Sequence, residues 1–146
     1  MLREKTAFRF HADNSRHPRD YDDNYRTLTL HRDGTFTDYN EHLWDLREGW
    51  ITEGVNIVVY AGTYTLDKPH IQFCYDRIVS KVTDVVLAKE SLAADEPLKQ
   101  PITISGTLSA DGTSLVVTQF GAGCDAEPQT LLSNNGLHRV HGGKYC

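Results

Sequence analysis

The sequence predicts an all-β protein: an antiparallel meander closed into a barrel of about eight strands, with at most short helices. Three observations lead to this prediction. Apolar and polar residues alternate in several short runs, as in half-buried strands. The pairs Asp33-Gly34 and Asp111-Gly112 separate such runs and favour tight hairpin turns. A meander of this length leaves no exposed strand edge if it closes on itself.

The stretch from Val55 to Tyr75 is the most strand-like part of the chain. It contains two runs rich in Val, Ile, Tyr, Thr and Phe, separated by a predicted turn at residues 67–69. The first run predicts a central strand, because both of its faces are largely apolar, and the second predicts its antiparallel neighbour. In the first run, one face carries Ile57, Val59 and Ala61, and the other carries Val58, Tyr60 and Tyr64.

The N-terminal third predicts one strand, one loop and one hairpin. Residues Thr6 to His11 alternate weakly and predict a first strand, whereas Ala12 to Asn24 is polar and predicts a loop. Strands on either side of Asp33-Gly34 form the predicted hairpin. Residues Glu41 to Trp50 break the strand pattern, and their apolar spacing favours a helical turn or an ordered loop.

The C-terminal half is less regular. Arg77 to Gln100 favours a strand that runs into a flexible loop with two prolines, and a short helix is the alternative. The stretch from Ile102 to Val117 predicts a second hairpin about Asp111-Gly112, and Leu137 to His141 predicts a last strand.

Composition limits the class of protein. A chain of 146 residues predicts a single domain, residues 1–146, with 39% hydrophobic and 24% charged residues. The net charge of −5 argues against nucleic-acid and anionic-membrane partners, since phosphate-binding surfaces are basic. No apolar run is long enough to span a membrane. The oligomeric state is left open, a homo-oligomer included.

The cysteines and the N-terminus predict a cytoplasmic protein. Cys74, Cys124 and Cys146 form an odd and widely spaced set, which favours free thiols in a reducing compartment over a disulfide framework. The first residues, MLREKTAFRF, lack the apolar segment of a secretory signal.

Three runs resemble a known architecture. The segments LTLHRDGTF, GTYTLDKPHIQF and ISGTLSADGTSLVVTQF resemble the strand-turn-strand pattern of small lipocalin-like, or calycin, barrels over Tyr25 to Phe120. The lipocalin Gly-x-Trp signature near the first strand is absent, so the resemblance is to a calycin-like barrel. It implies a barrel whose interior is either filled by side chains or open for one small ligand.

Aromatic residues with a few polar groups on the predicted strands point to a ligand cavity, because such pockets are largely apolar with few polar groups. We expect one tryptophan, Trp44 or Trp50, at the barrel mouth. The predicted ligand-binding residues are Phe36, Trp44, Trp50, Tyr60, Tyr64, Phe73, Tyr75 and Gln119. The candidate acid, base or enolate-stabilising groups are Tyr64, Tyr75, Arg77 and His70.

No motif identifies a cofactor, and none is expected. His138 and His141 form H-x-x-H, but on a strand this spacing places them on opposite faces. The sequence contains no His-Glu-x-x-His, Cys-x-x-Cys, phosphate-binding or dinucleotide-binding pattern. We therefore expect no dedicated metal site.

Three functions are compatible with these features. The first is binding of a small hydrophobic or amphipathic molecule in the barrel. The second is a cofactor-independent cyclase or isomerase of natural-product biosynthesis that folds its substrate in the same cavity, by analogy of fold alone. The third is a protein-interaction module with a filled core. The absence of a catalytic motif ranks binding first.

Overall fold

The computed structural model describes residues 5–13, 21–45, 53–85, 88–92, 95–118, 128–133 and 139–141. These residues form strands and connecting turns, with no helix among them. The described strands are β1 (Lys5–Asp13), β2 (Tyr21–His31), β3 (Thr35–Asp45), β4 (Glu53–Asp67), β5 (His70–Val85), β6 (Ala88–Leu92), β7 (Glu96–Leu108), β8 (Ser114–Thr118), β9 (Pro128–Leu132) and β10 (Arg139–His141).

The strands form a closed barrel. Eight of them pair antiparallel in the order β1-β2-β3-β4-β5-β7-β8-β9, and β9 returns to β1 through the pair Arg9 and Leu132. Strand β6 pairs with β5 outside this circuit, and β10 pairs parallel with β1. The predicted all-β meander and its closure into an eight-stranded barrel are confirmed. Among the described residues, no helix is long and apolar enough to cross a bilayer.

The two Asp-Gly turns are built by the same side-chain chemistry. Gly34 and Gly112 have φ angles of +91° and +73°, a region that glycine enters without steric cost. In each turn the aspartate Oδ1 accepts hydrogen bonds from the backbone N–H and the hydroxyl of the threonine two residues later, at 2.6–3.1 Å. Hydrogen bonds from Ser109 and Thr113 lower the pKa of Asp111 to about 2.

The central pair of strands is confirmed and contains two bulges. Strands β4 and β5 are antiparallel neighbours, with register shifts between Val59 and Tyr60 and between Ala61 and Gly62. The register also assigns the faces. Val58 and Tyr60 point to the barrel interior, in line with the inward residues of β3, and the alternate residues point outward.

The predicted helical turn or loop over Glu41 to Trp50 is wrong for residues 41–45, which belong to β3. Leu43 pairs with Asp23 on β2 and with Val55 on β4. Ladder hydrogen bonds on both sides outweigh the weak helical spacing in this segment. Residues 46–50, Trp50 included, lie outside the described part of the chain.

Two predicted loops are also shorter than expected. Strand β1 reaches Asp13 and β2 begins at Tyr21, because Asp13 pairs with Asp23 across the ladder. Strand β5 continues to Val85, and residues 96–101 belong to β7 although Pro97 and Pro101 lie there. The prolines are tolerated because β8 pairs only with residues 106–108, so this part of β7 is an edge.

The apolar core fills one end of the barrel, which we call the closed end. Its largest fully buried side chains come from seven strands and point inward. Tyr64 packs against this core, and its hydroxyl donates a hydrogen bond to the carbonyl of His31 at the β2–β3 turn. The core side chains are Phe8, Phe10, Ala12, Leu28, Leu30, Phe36, Ile71, Phe73, Tyr75, Ile104, Leu108, Leu115, Val117 and Leu131.

We expect Gly62→Ala to destabilise the barrel by roughly 3 kcal/mol, the upper part of the usual cost of overpacking. A Cβ at Gly62 would overlap the backbone carbonyl of Cys74 on the paired strand. This carbonyl belongs to the β4–β5 ladder, so moving it would disturb the pairing of the two strands. Urea unfolding measures the effect. Gly54→Ala is the matched control, because the atoms nearest to its Cβ belong to the side chain of Trp44 and not to a backbone carbonyl. Equal losses in the two variants would contradict the prediction.

Candidate functional site

A buried ion pair lies in the middle of the barrel. Arg26 on β2 and Asp38 on β3 both point inward, since each alternates with core leucines or phenylalanines on its strand. The guanidinium binds the carboxylate through two hydrogen bonds, Nε to Oδ1 at 3.0 Å and Nη2 to Oδ2 at 2.7 Å. Asp38 is completely buried, and Arg26 is 4% exposed. The two parallel hydrogen bonds let each charge neutralise the other, although both groups are shielded from water.

Two further side chains reach this pair across the barrel. Gln129 on β9 accepts a hydrogen bond from Arg26 Nη1 at 2.7 Å. Tyr75 on β5 donates its hydroxyl proton to Asp38 Oδ2 at 2.5 Å and lies 3.2 Å from Arg26 Nη2. Asn40 Nδ2 adds a hydrogen bond to Asp38 Oδ1 at 3.2 Å. We call Arg26, Asp38, Tyr75 and Gln129 the polar layer, because they connect four strands across the interior.

The pKa values of two groups in the polar layer, Arg26 and Tyr75, are raised. Burial would lower the pKa of Arg26, but the adjacent Asp38 carboxylate and Tyr75 raise it above its ordinary value. Burial and then the Asp38 charge raise the pKa of the Tyr75 phenol well above 10, against the opposing effect of Arg26. At neutral pH the layer therefore contains a charged arginine and a neutral phenol.

The burial and polarity of the inward side chains differ between the two sides of the polar layer. On one side lies the packed closed end, where the inward side chains are almost completely buried. On the other side most inward side chains are only half-buried and of mixed polarity. We call this second half the open end. On β3 and β4, its half-buried inward residues are Asn40, His42, Trp44, Asn56, Val58 and Tyr60.

Trp44 lies at the rim of the open end. Its ring occupies the space beside Gly54 on β4, where a side chain would collide with it. His42 packs against the indole with ring centroids 4.7 Å apart, and its Nε2 lies 2.7 Å from Asp22 Oδ1. This tryptophan belongs to β3 and not to the expected helical turn or loop.

Tyr60 and Asn24 lie between the rim and the polar layer. The Tyr60 ring makes an edge-to-face contact with Tyr75 at 6.0 Å, and burial, then the Asp38 charge, raises the pKa of its hydroxyl. Asn24 occupies an inward position of β2 between Ala12 and His42 and is 8% exposed. Its Nδ2 is buried without a hydrogen-bond partner. Such a group is costly unless something else binds it.

A second buried polar pair lies on the outward face of the same strands. His11 Nε2 contacts Asp23 Oδ1, and the imidazole stacks on Tyr25 with centroids 4.3 Å apart. Both residues of the pair are buried, and His11 Nδ1 has no hydrogen-bond partner. Because this pair points away from the barrel interior, it does not belong to the open end.

The predicted site residues are distributed over different parts of the barrel. Trp44, Tyr60 and Tyr75 surround the open end and the polar layer, whereas Phe36, Phe73 and Tyr64 lie at the closed end. Whether they bind a ligand stays a prediction. Trp50 and Gln119 lie outside the described residues.

Two of the candidate catalytic groups lie away from the interior. His70 is exposed at the start of β5 beside an outer-surface depression of about 290 Å³. Arg77 is exposed and lies 3.3 Å from Asp95. Their catalytic roles stay predictions, but neither residue shares a cavity with Tyr75. Tyr64 is also separated from the open end, because its hydroxyl is bound to His31.

Sequence reasoning missed the polar layer except for Tyr75. A signal was present, since Arg26 continues the inward alternation of Leu28 and Leu30, and Asp38 continues that of Phe36. A charged residue at such a position indicates either a strand end or a buried partner. The partner could not be identified, because Gln129 is 103 residues from Arg26 in sequence.

Within the described residues, no group of three or more His, Cys, Asp or Glu side chains is arranged to hold a metal ion. No protein-family model, no curated protein and no solved structure matches this chain significantly.

Proposed function

We propose that the protein binds a small amphipathic molecule in the open end of the barrel, above the polar layer. The observation that carries the proposal is the change in the interior from complete apolar packing to half-buried side chains of mixed polarity. A side chain that points into a barrel yet keeps contact with solvent borders space that its neighbours do not fill.

The lining of the open end supports an amphipathic ligand. Trp44, Tyr60 and Val58 offer apolar surface, and the two aromatic rings suit a flat or extended body. Asn24 and Asn40 offer amide groups near the polar layer. A largely apolar wall with a few fixed polar groups is typical of small-molecule sites.

An enzyme of the cyclase or isomerase type is the second candidate. Tyr60 and Tyr75 favour it, since two phenols in edge-to-face contact lie beside a buried carboxylate. The raised pKa of Tyr60 keeps its hydroxyl protonated, so Tyr60 could protonate or hydrogen-bond a carbonyl that gains negative charge, whereas the Tyr75 proton is already donated to Asp38. Recovery of a molecule from the protein in a chemically altered form would distinguish turnover from binding.

The test is native mass spectrometry of freshly purified protein, together with two matched variants. We expect the wild-type protein to carry a small molecule and Trp44→Ala to bind that molecule about tenfold or more weakly, with the fold retained. Tyr39→Ala removes an aromatic ring from the outward face of the same strand and should keep wild-type binding. Equal binding by both variants, or a wild-type protein that binds no small molecule, would contradict the proposal.

A further inference from the structure

Among the described residues, the open end contains a buried hydrogen-bond donor that has no acceptor in the protein. Asn24 Nδ2 is buried and has no partner, although the residue is more than nine-tenths buried and occupies an inward position. A buried amide N–H without an acceptor costs free energy that a bound acceptor oxygen would recover. The donor therefore indicates where the polar end of a ligand would lie.

The polar layer offers no uncompensated charge to that ligand. The Asp38 carboxylate accepts hydrogen bonds from Arg26, Tyr75 and Asn40, and it neutralises the guanidinium in a two-bond fork. A ligand carboxylate would have to compete with Asp38 for Arg26 in a buried site. It would lose its hydration without gaining a free counter-charge.

The rim adds a further obstacle to anions. Asp22 lies there beside His42, so the entrance already contains a carboxylate. Lys81 pairs in register with Val58, but its side chain is exposed to solvent, where its attraction is screened. Among the described residues of the open end, the charges therefore do not favour a negatively charged head group.

We infer that the ligand is a neutral molecule with a flat hydrophobic body and a carbonyl oxygen that accepts a hydrogen bond from Asn24 Nδ2. Ketones, esters and amides belong to this class, whereas fatty acids and other carboxylates do not. The inference rests on the proposed function and specifies its ligand class. The carbonyl would lie near Tyr60, and the hydrophobic body would extend towards Trp44.

Three probes of equal ring size test this inference: naphthalene, 2-acetylnaphthalene and 2-naphthoate. Calorimetric titration at neutral pH compares their dissociation constants for the full chain. We expect the ketone to bind roughly 3- to 10-fold more tightly than naphthalene, the ratio that one net hydrogen bond supplies. The carboxylate should bind at least about tenfold more weakly than the ketone, because its charge must be desolvated.

The variant Asn24→Leu keeps the side-chain size and removes the donor. It should abolish the preference for the ketone over naphthalene, which is read as the ratio of the two dissociation constants in the same variant. In Asn24→Asp an acceptor replaces the donor, so this variant should bind the ketone more weakly than Asn24→Leu does. The comparison of the three probes on the wild-type protein needs no variant, so the inference stays testable if either variant folds poorly.

The outcomes separate the two proposals. Tight binding of 2-naphthoate, or a ketone preference that Asn24→Leu retains, would overturn the neutral-carbonyl inference and leave the binding function in place. A protein that binds none of the three probes and carries no molecule after purification would overturn the binding function, and the inference with it.

Discussion

Replacement of Asp38 with asparagine is expected to lower the free energy of unfolding by about 3–5 kcal/mol, the usual cost of removing one partner of a buried ion pair. Arg26 would keep its charge, because a guanidinium stays protonated in proteins even when an acidic partner that raises its pKa is removed. Without the carboxylate, that charge is left buried beside the neutral groups of Tyr75 and Gln129.

Urea unfolding of the wild-type protein, Asp38→Asn and a control measures this loss. Asp67→Asn is the control, since Asp67 is an exposed aspartate on the neighbouring strand β4 and its change should stay within about 0.5 kcal/mol. The double variant Arg26→Met with Asp38→Leu removes both charges and should be more stable than Asp38→Asn. A loss below about 1 kcal/mol in Asp38→Asn would contradict the buried-pair explanation.

The polar layer also explains why the barrel has two different halves. Its side chains form hydrogen bonds with one another across the interior, so they close off the apolar core without needing water. Beyond the layer, the inward side chains of β3 and β4 are only half-buried. The layer is therefore both a structural connection between four strands and the inner boundary of the proposed binding space.

The local parts of this fold could be predicted from the sequence. Each Asp-Gly turn is specified by a glycine that adopts positive φ and by an aspartate that binds the threonine two residues later. The alternation in β4 assigned Tyr60 to one face and Val59 to the other, as the ladder shows. These features depend on neighbours within a few residues, so the sequence contains all the information they need.

The open end depends on contacts between distant strands. Arg26 and Gln129 meet only because β9 closes against β1, and no short-range pattern specifies that closure. Residues 41–45 likewise adopt a strand conformation because they pair with β2 and β4, and not because of their local propensity. Sequence patterns therefore predicted Tyr75 as an inward aromatic, but not the carboxylate that it binds.

Phe36→Ala is expected to destabilise the protein by about 3–5 kcal/mol, the usual cost of deleting a core aromatic ring. The ring is 1% exposed and makes edge-to-face contacts with Phe73 at 5.1 Å and with Tyr75 at 4.8 Å. Its removal deletes both contacts and leaves a cavity beneath the polar layer. Phe36→Leu keeps most of the volume and should lose clearly less stability.

The same variants separate a structural role of Phe36 from the ligand-binding role that the sequence predicts. If Phe36 only supports the core, Phe36→Leu should bind the ligand of the wild-type protein with nearly unchanged affinity, because the polar layer lies between this ring and the open end. Titration of Phe36→Leu and Trp44→Ala with 2-acetylnaphthalene makes the comparison. Weak binding by Phe36→Leu at nearly wild-type stability would show that the binding space extends past the polar layer to the closed end.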